Sequence, residues 1–213
     1  PSMHSSQNEQ DSRIFSAFAQ TLTLEPCDVQ EAYDMTIAAF ALSEALEIPV
    51  VLRLTTLLSH SRSVIVRQPE REANQASLPE DATHFMLIPL YARKNWKRLI
   101  EKQETFREQS EMSAFNTLLD GPDHSVGIIA TGVAYSYARD CLPGTPPAHP
   151  ILKIGQYPIP EKAIRELAAS CETLLVLEDG APMVEERVKG VLPADRPVVK
   201  GRLDGTLPRC GEL

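Results

Sequence analysis

The chain has no two cysteines close enough to begin a metal site. Cys27, Cys141, Cys171 and Cys210 lie scattered with no C-x-x-C among them, so neither a zinc site nor an iron–sulfur cluster is spelled out. Buried free thiols are the expected reading. His4, His60, His84, His124 and His149 lack ligand spacing too, and the sequence nominates no metal-binding residue. Basic charge is also scarce: 21 Lys and Arg face 29 Asp and Glu, a formal charge of -8, which excludes a phosphate-neutralising surface and with it a nucleic-acid partner. The longest apolar stretches, such as "SVGIIATGVA", are too short to cross a bilayer, and no signal peptide opens the chain. A cytoplasmic protein without membrane contact is expected.

Catalytic signatures are missing as well. There is no G-x-S-x-G elbow, and Ser59 and His60, as chain neighbours, rarely face one another, so no catalytic residue is assigned. "ATG" at Ala130–Gly132 lacks both the G-x-G-x-x-G spacing and a G-K-[ST] ending and reads as a tight structural turn.

What is present is an ordinary globular composition, 43% apolar and 23% charged over 213 residues, enough for one large domain or two modest ones. After a dense polar opening, "TLTLEP" alternates like a strand and stops at Pro26. Asp28 with Glu31 has the spacing of a capping box, and Ala32, Met35, Ala39, Leu42 and Leu46 recur at helical intervals to about Glu47. "IPVVLRL" then reads as a strand buried on both faces, which makes a strand–helix–strand unit with parallel pairing. A second polar loop (55–62), a short "VIV" strand, a polar linker (68–82), a brief extended "HFMLIPL" and one long charged helix from Ala92 to about Leu119 are expected next.

"DGPDH" (120–124) is the strongest punctuation in the chain. Beyond it "VGIIAT", "ILKI" and "TLLVLE" each lead into a helical pattern, which predicts a small α/β domain with a mainly parallel sheet, and "VVK" near Val198 can add a last strand. Glu178 should close its strand at the carboxyl edge and bond a helix N-terminus. The fold class is α/β, two modules with mainly parallel sheets. Ligands collect where strands end, so the polar loops 3–13 and 55–62 are the candidate sites.

"PSMHSSQNEQDSR", "EAYDMTIAAFALSEALEIPVVLRLTTLLSHSRSVIV" and the closing "GRLDGTLPRCGEL" resemble the thiamine-diphosphate-dependent 2-oxoacid:ferredoxin oxidoreductase family, in particular its indolepyruvate-type alpha subunits. The likeness covers almost the whole chain and is weakest between Pro69 and Asp120. It implies the end of a thiamine pyrimidine-binding domain over 1–66, a linker with a long helix over 67–120, and a transketolase C-terminal-like domain with tail over 121–213. It implies a central fragment, with the ring-activating glutamate upstream and the magnesium motif, diphosphate-binding domain and iron–sulfur segment elsewhere.

The activity so implied is oxidative decarboxylation of aryl pyruvates to aryl-acetyl-CoA. Its partners are the remaining alpha-subunit domains, a beta subunit and ferredoxin, and a homodimer stays open. Thiamine diphosphate and magnesium belong to the intact enzyme, and none is expected tightly bound to this chain alone. Ser5, Ser6, Gln7, Asn8 and Glu9 are the expected cofactor contacts, with Ser59, His60 and Arg62 at the substrate. The rival reading is a non-catalytic subunit-docking module.

Overall fold

The computed structural model describes residues 10–70, 72–73, 75, 78–194, 197–209 and 211. Ser12 leads into a short helix α1 (Arg13–Ala19), after which Thr23–Leu24 forms β1. The cap expected at Asp28 is present: its Oδ1 accepts from the Glu31 amide at 2.8 Å, while Glu31 Oε2 reaches back to the Cys27 amide at 2.8 Å. So satisfied, α2 runs over Val29–Leu46, and β2 (Val51–Leu52) returns parallel to β1.

The expected β2 strand is shorter than its sequence suggested and only half-buried. It pairs on one side only, with β1, whose other neighbour is a later strand at Gln156–Tyr157. The loop 55–62 contains a helical turn, α3 (Thr56–His60), because Thr55 Oγ1 accepts from the Leu58 amide. "VIV" forms no strand. Val64 and Val66 are exposed, and the backbone there is satisfied by α2 side chains: the Val66 amide donates to Gln30 Oε1 at 2.7 Å and the Gln68 amide to the Tyr33 hydroxyl at 3.1 Å.

The brief extended piece is a 3₁₀ turn (Ala82–Phe85) leading into α4 (Pro89–Glu101). The single long helix is broken after Glu101: α5 spans Gln103–Glu111, and Thr117–Leu119 becomes β3. Tertiary bonds explain both changes. Lys102 Nζ donates to the Leu46 carbonyl and Gln103 Nε2 to the Gln20 carbonyl at the break, and β3 pairs antiparallel with the later segment Ile151–Lys153. Periodicity carries no information about either partner.

The second sheet follows the sequence closely. β4 (Val126–Thr131), α6 (Val133–Cys141), β5 (Ile151–Ile154), β6 (Gln156–Tyr157), α7 (Glu161–Ser170), β7 (Thr173–Leu177), α8 (Met183–Val191) and β8 (Val198–Lys200) occur in that order. The sheet has order β3-β5-β4-β7-β8, parallel except at β3. Its core packs Ile129, Leu152, Ile154 and Leu174 against Ile164 and Leu167 of α7 and Val184 and Val188 of α8. The tail is irregular but anchored, since buried Arg202 donates to the carbonyls of Glu178, Pro208 and Gly211. β6 belongs to the other sheet: it pairs antiparallel with β1 and so joins the two halves of the chain. No described helix is long and apolar enough to cross a membrane.

Candidate functional site

The carboxyl ends of β1, β2, β4 and β7 converge, and a charged residue follows three of them: Glu25 after β1, Arg53 after β2 and Glu178 after β7. In an open α/β sheet this edge is where a ligand crevice lies. Here the chain fills the crevice with its own side chains. Asp11, ahead of α1, and Arg13, its first residue, complete a buried cluster in which Arg13, Glu25 and Glu178 are at most 1% exposed.

Arg13 Nε donates to Asp11 Oδ1 at 2.9 Å, and its NH2 group donates to the carbonyls of Asp179 at 3.1 Å and Ala181 at 2.9 Å. Its NH1 lies 2.9 Å from Glu178 Oε2 without hydrogen-bond alignment, so that contact is an ion pair alone. Arg53 pairs with Glu25 Oε1 and donates to the Asp179 carbonyl at 2.9 Å. The Tyr157 hydroxyl donates to the second Glu25 oxygen at 2.6 Å. Glu178 accepts from the amides of Val184 and Glu185, both at 2.9 Å, at the start of α8. The contact expected of Glu178 with a helix N-terminus is therefore present, with an arginine added.

Two glycines make the close approach possible. Gly132, at φ +48°, stands where "ATG" turns into α6, and a Cβ there would meet Glu25 Oε1 at 2.6 Å; at Gly180, φ +103°, a Cβ would meet Asp11 Oδ2 at 2.7 Å. The electrostatics follow from burial and pairing. Burial alone would raise the Asp11 carboxyl, but the hydrogen bonds and charge of Arg13 and the charge of Arg53 outweigh it and hold the group below its ordinary 3.8. Burial pushes Glu178 up despite Arg13 and the α8 amides. Burial and the neighbouring Glu25 carboxylate raise the Tyr157 phenol, which stays protonated as a donor.

A depressed carboxylate stabilises the fold above its unfolded value and stops doing so as pH falls through its folded value. Asp11→Asn is therefore expected to lower the urea midpoint at pH 7. That difference from the parent should begin to shrink below pH 3.8. Denaturation series at several pH values check this, and a difference that grows on acidification refutes it.

The sequence-predicted residues are distributed unevenly about this cluster. Ser5, Ser6, Gln7, Asn8 and Glu9 lie outside the described residues. Ser59 Oγ donates to the Thr55 carbonyl at 2.9 Å within α3, and His60 is exposed at its end. Arg62 lines a cavity of 370 Å³ with Asp28, Leu58, Ser136, Tyr137 and Asp140, and neither Ser59 nor His60 lines it. A larger cavity of 620 Å³ lies beside Arg13 and Tyr157, walled by Phe106 of α5 and Arg187 of α8. Sequence reasoning covered Asp11 and Arg13 only as part of the candidate loop 3–13, without singling them out, and missed Glu25 and Arg53. The one available signal was a charge placed directly after an apolar strand, as at Glu25 and Arg53.

The two guanidinium groups and three carboxylates are paired with one another, so the cluster clamps the two halves together. Among the described residues no group of three or more His, Cys, Asp or Glu could hold a metal ion. They do not supply a magnesium site, and no chemical step through a metal or thiamine diphosphate is derived from them.

Residues 2–95 match the thiamine diphosphate-binding family of pyruvate flavodoxin/ferredoxin oxidoreductases. The chain is 37% identical to the indolepyruvate oxidoreductase subunit IorA of Methanothermobacter thermautotrophicus, over 100% of this chain and 35% of that protein. It is 35% identical to IorA of Archaeoglobus fulgidus, over 98% and 33%, and 38% identical to IorA of Thermococcus kodakarensis, over 89% and 30%. A solved structure of a split-gene transketolase, an inactive beta4 tetramer, superposes with a TM-score of 0.48 at 16% identity, covering 85% of this chain and 47% of that one. The chain belongs to the 2-oxoacid:ferredoxin oxidoreductase family. Within it, the relatives it matches along its length are the IorA subunits, of which it spans about a third.

Proposed function

We propose that the chain is the part of a cytoplasmic indolepyruvate:ferredoxin oxidoreductase alpha subunit in which the end of the pyrimidine-binding domain, residues 1–66, joins a transketolase C-terminal-like domain, residues 121–213, through 67–120. The intact enzyme converts aryl pyruvates to aryl-acetyl-CoA with a beta subunit and ferredoxin. Thiamine diphosphate, held with magnesium by other parts of the subunit, supplies the carbanion chemistry.

The observation that carries this reading is the anchoring of Asp11 at the carboxyl edge of the strands. Its Oδ2 accepts from the Ala181 amide at 3.0 Å, and Arg13 grips it from the other side. Ser5, Ser6, Gln7, Asn8 and Glu9, which precede Asp11 in the sequence, are proposed as the cofactor contacts that the family resemblance implies. Arg62, at its cavity, suits a substrate carboxylate, and Ser59 and His60 are proposed with it at the substrate.

A chimera tests the reading. Residues 1–213 replace the aligned third of Methanothermobacter thermautotrophicus IorA, and thiamine diphosphate with magnesium should raise its melting temperature, by about 2.7 kcal/mol of added stability at a hundredfold excess over Kd. The chimera should reduce a viologen dye with indolepyruvate and CoA, whereas the isolated chain should not. A folded chimera with no thermal response, or dye reduction by the isolated chain, overturns the proposal. The first of these results favours the docking-module alternative, which the exposed Phe15 and Phe18 of α1 support, at 74% and 86% exposure.

A further inference from the structure

Five charged side chains line the 620 Å³ cavity that α1, α5 and α8 enclose, and three of them are engaged elsewhere. Arg13 is held by Asp11 and Glu178, Arg107 donates to Glu104 at 2.7 Å, and Arg165 donates to Glu161 at 3.0 Å. Glu186 and Arg187 remain, and neither has a side-chain hydrogen bond or ion pair among the described residues. They do not satisfy each other, because consecutive positions on a helix diverge by about 100°. Among the described residues, the wall is thus left with one unpaired cation and one unpaired carboxylate, side by side on α8.

The rest of the wall is largely apolar, with Met183 and Val191 of α8, Phe106 of α5 and Ile159 contributing to it. Gly190 lines it too, inside α8, with nothing within 4 Å of its would-be Cβ. Glycine inside a helix is less favourable than alanine, and here no packed neighbour calls for it. What it supplies is bare backbone beside an open space, the condition for close approach of a ligand. The volume falls within the range of small-molecule sites, about 300–1,000 Å³. Such a wall matches a ligand that carries a carboxylate and an ammonium close together on an apolar body. A simple acid would set its carboxylate beside Glu186, and a simple amine its ammonium beside Arg187.

We propose that this cavity binds a free α-amino acid with a large apolar side chain. Arg187 takes its carboxylate, Glu186 takes its ammonium, and the side chain lies over Gly190 against Met183 and Val191. The proposal is independent of the cofactor chemistry.

Equilibrium dialysis of the purified chain against radiolabelled L-phenylalanine tests it. Binding should saturate with a Kd below about 1 mM. Unlabelled phenylacetate, which lacks the ammonium, and phenethylamine, which lacks the carboxylate, should each compete more than about tenfold less well than unlabelled phenylalanine. Arg187→Met and Glu186→Gln should each weaken binding by more than about tenfold, since each removes a charge-assisted contact. Both change exposed side chains without partners, so circular dichroism and melting temperature should stay at the parent values. Gly190→Leu should abolish binding by filling the space, and the two charge variants decide the matter if leucine disturbs α8. No saturable binding at about ten times the expected Kd overturns the proposal. So do equal competition by either half of the ligand, binding indifferent to both charge variants, and undiminished binding by a folded Gly190→Leu. Binding by the isolated chain that vanishes in the folded chimera with IorA also overturns it, because another part of the subunit then fills the cavity.

Discussion

Arg13→Met should cost about 3–5 kcal/mol of stability, the range for breaking a buried ion pair from one side. For a chain of this size that is on the order of 10 °C in melting temperature. The side chain is 1% exposed and gathers Asp11, Glu178 and the carbonyls of Asp179 and Ala181 about one guanidinium. Methionine keeps much of the volume but leaves Glu178 without its counter-charge, Asp11 with only Arg53 at 3.7 Å, and the Ala181 carbonyl without the guanidinium donor. The loss therefore arises from the uncompensated partners more than from any net gain of the pair itself. Removing Asp11 and Glu178 together with Arg13, as Arg13→Met with Asp11→Leu and Glu178→Leu, should consequently cost less than the single change. Urea denaturation of the three-site and one-site variants decides this. A triple variant weaker than Arg13→Met would show that the amides of Ala181, Val184 and Glu185, which those carboxylates also satisfy, matter more than the charges.

Gly132→Ala should be strongly destabilising. The backbone at φ +48°, ψ -133° disfavours any side chain, at a cost of about 1–3 kcal/mol. The new Cβ would also stand 2.6 Å from Glu25 Oε1, the oxygen that pairs with Arg53. Displacing that carboxylate loosens both Arg53 and the Tyr157 hydroxyl, and unmet buried groups add about 1–3 kcal/mol more. Gly190→Ala is the matched contrast. Gly190 lies within α8 with nothing within 4 Å of its would-be Cβ, so alanine there should stabilise by about 0.4–1 kcal/mol. Thermal melts of the two variants should move in opposite directions. A shared direction would mean that close approach to Glu25 is not what requires glycine at position 132.

The C-terminal sheet was legible because each of its strands is a short apolar run bounded by turn residues, and the parallel pairing of β4, β5 and β7 follows from the helices between them. The α2 cap was legible for a similar reason: Asp28 and Glu31 act within one turn. What the sequence did not disclose depends on partners far along the chain. Arg13 meets the Ala181 carbonyl across a separation of 168 residues, and nothing local marks it as different from a surface arginine. "VIV" looks like a strand by composition, but a strand needs another backbone, and α2 side chains reached it first. Helical spacing continues through Lys102, whereas the break there answers to carbonyls at Leu46 and Gln20. The polar loop residues Ser5 to Glu9 are expected from a family resemblance alone; the ion-pair cluster emerged only from the fold.

β5 ends at Ile154 and β6 begins at Gln156, so a single residue, Gly155, carries the chain from one sheet into the other. A Cβ at Gly155 would stand 2.9 Å from both Met35 Cε and the Phe115 carbonyl oxygen. The crossing is hemmed in, with no slack to let one sheet disorder while the other persists. Pulling β6 away from β1 would drag on the central strands of the larger sheet within one peptide unit. In thermodynamic terms the halves share one unfolding event, and heat should be absorbed in one calorimetric peak whose enthalpy reflects the whole chain.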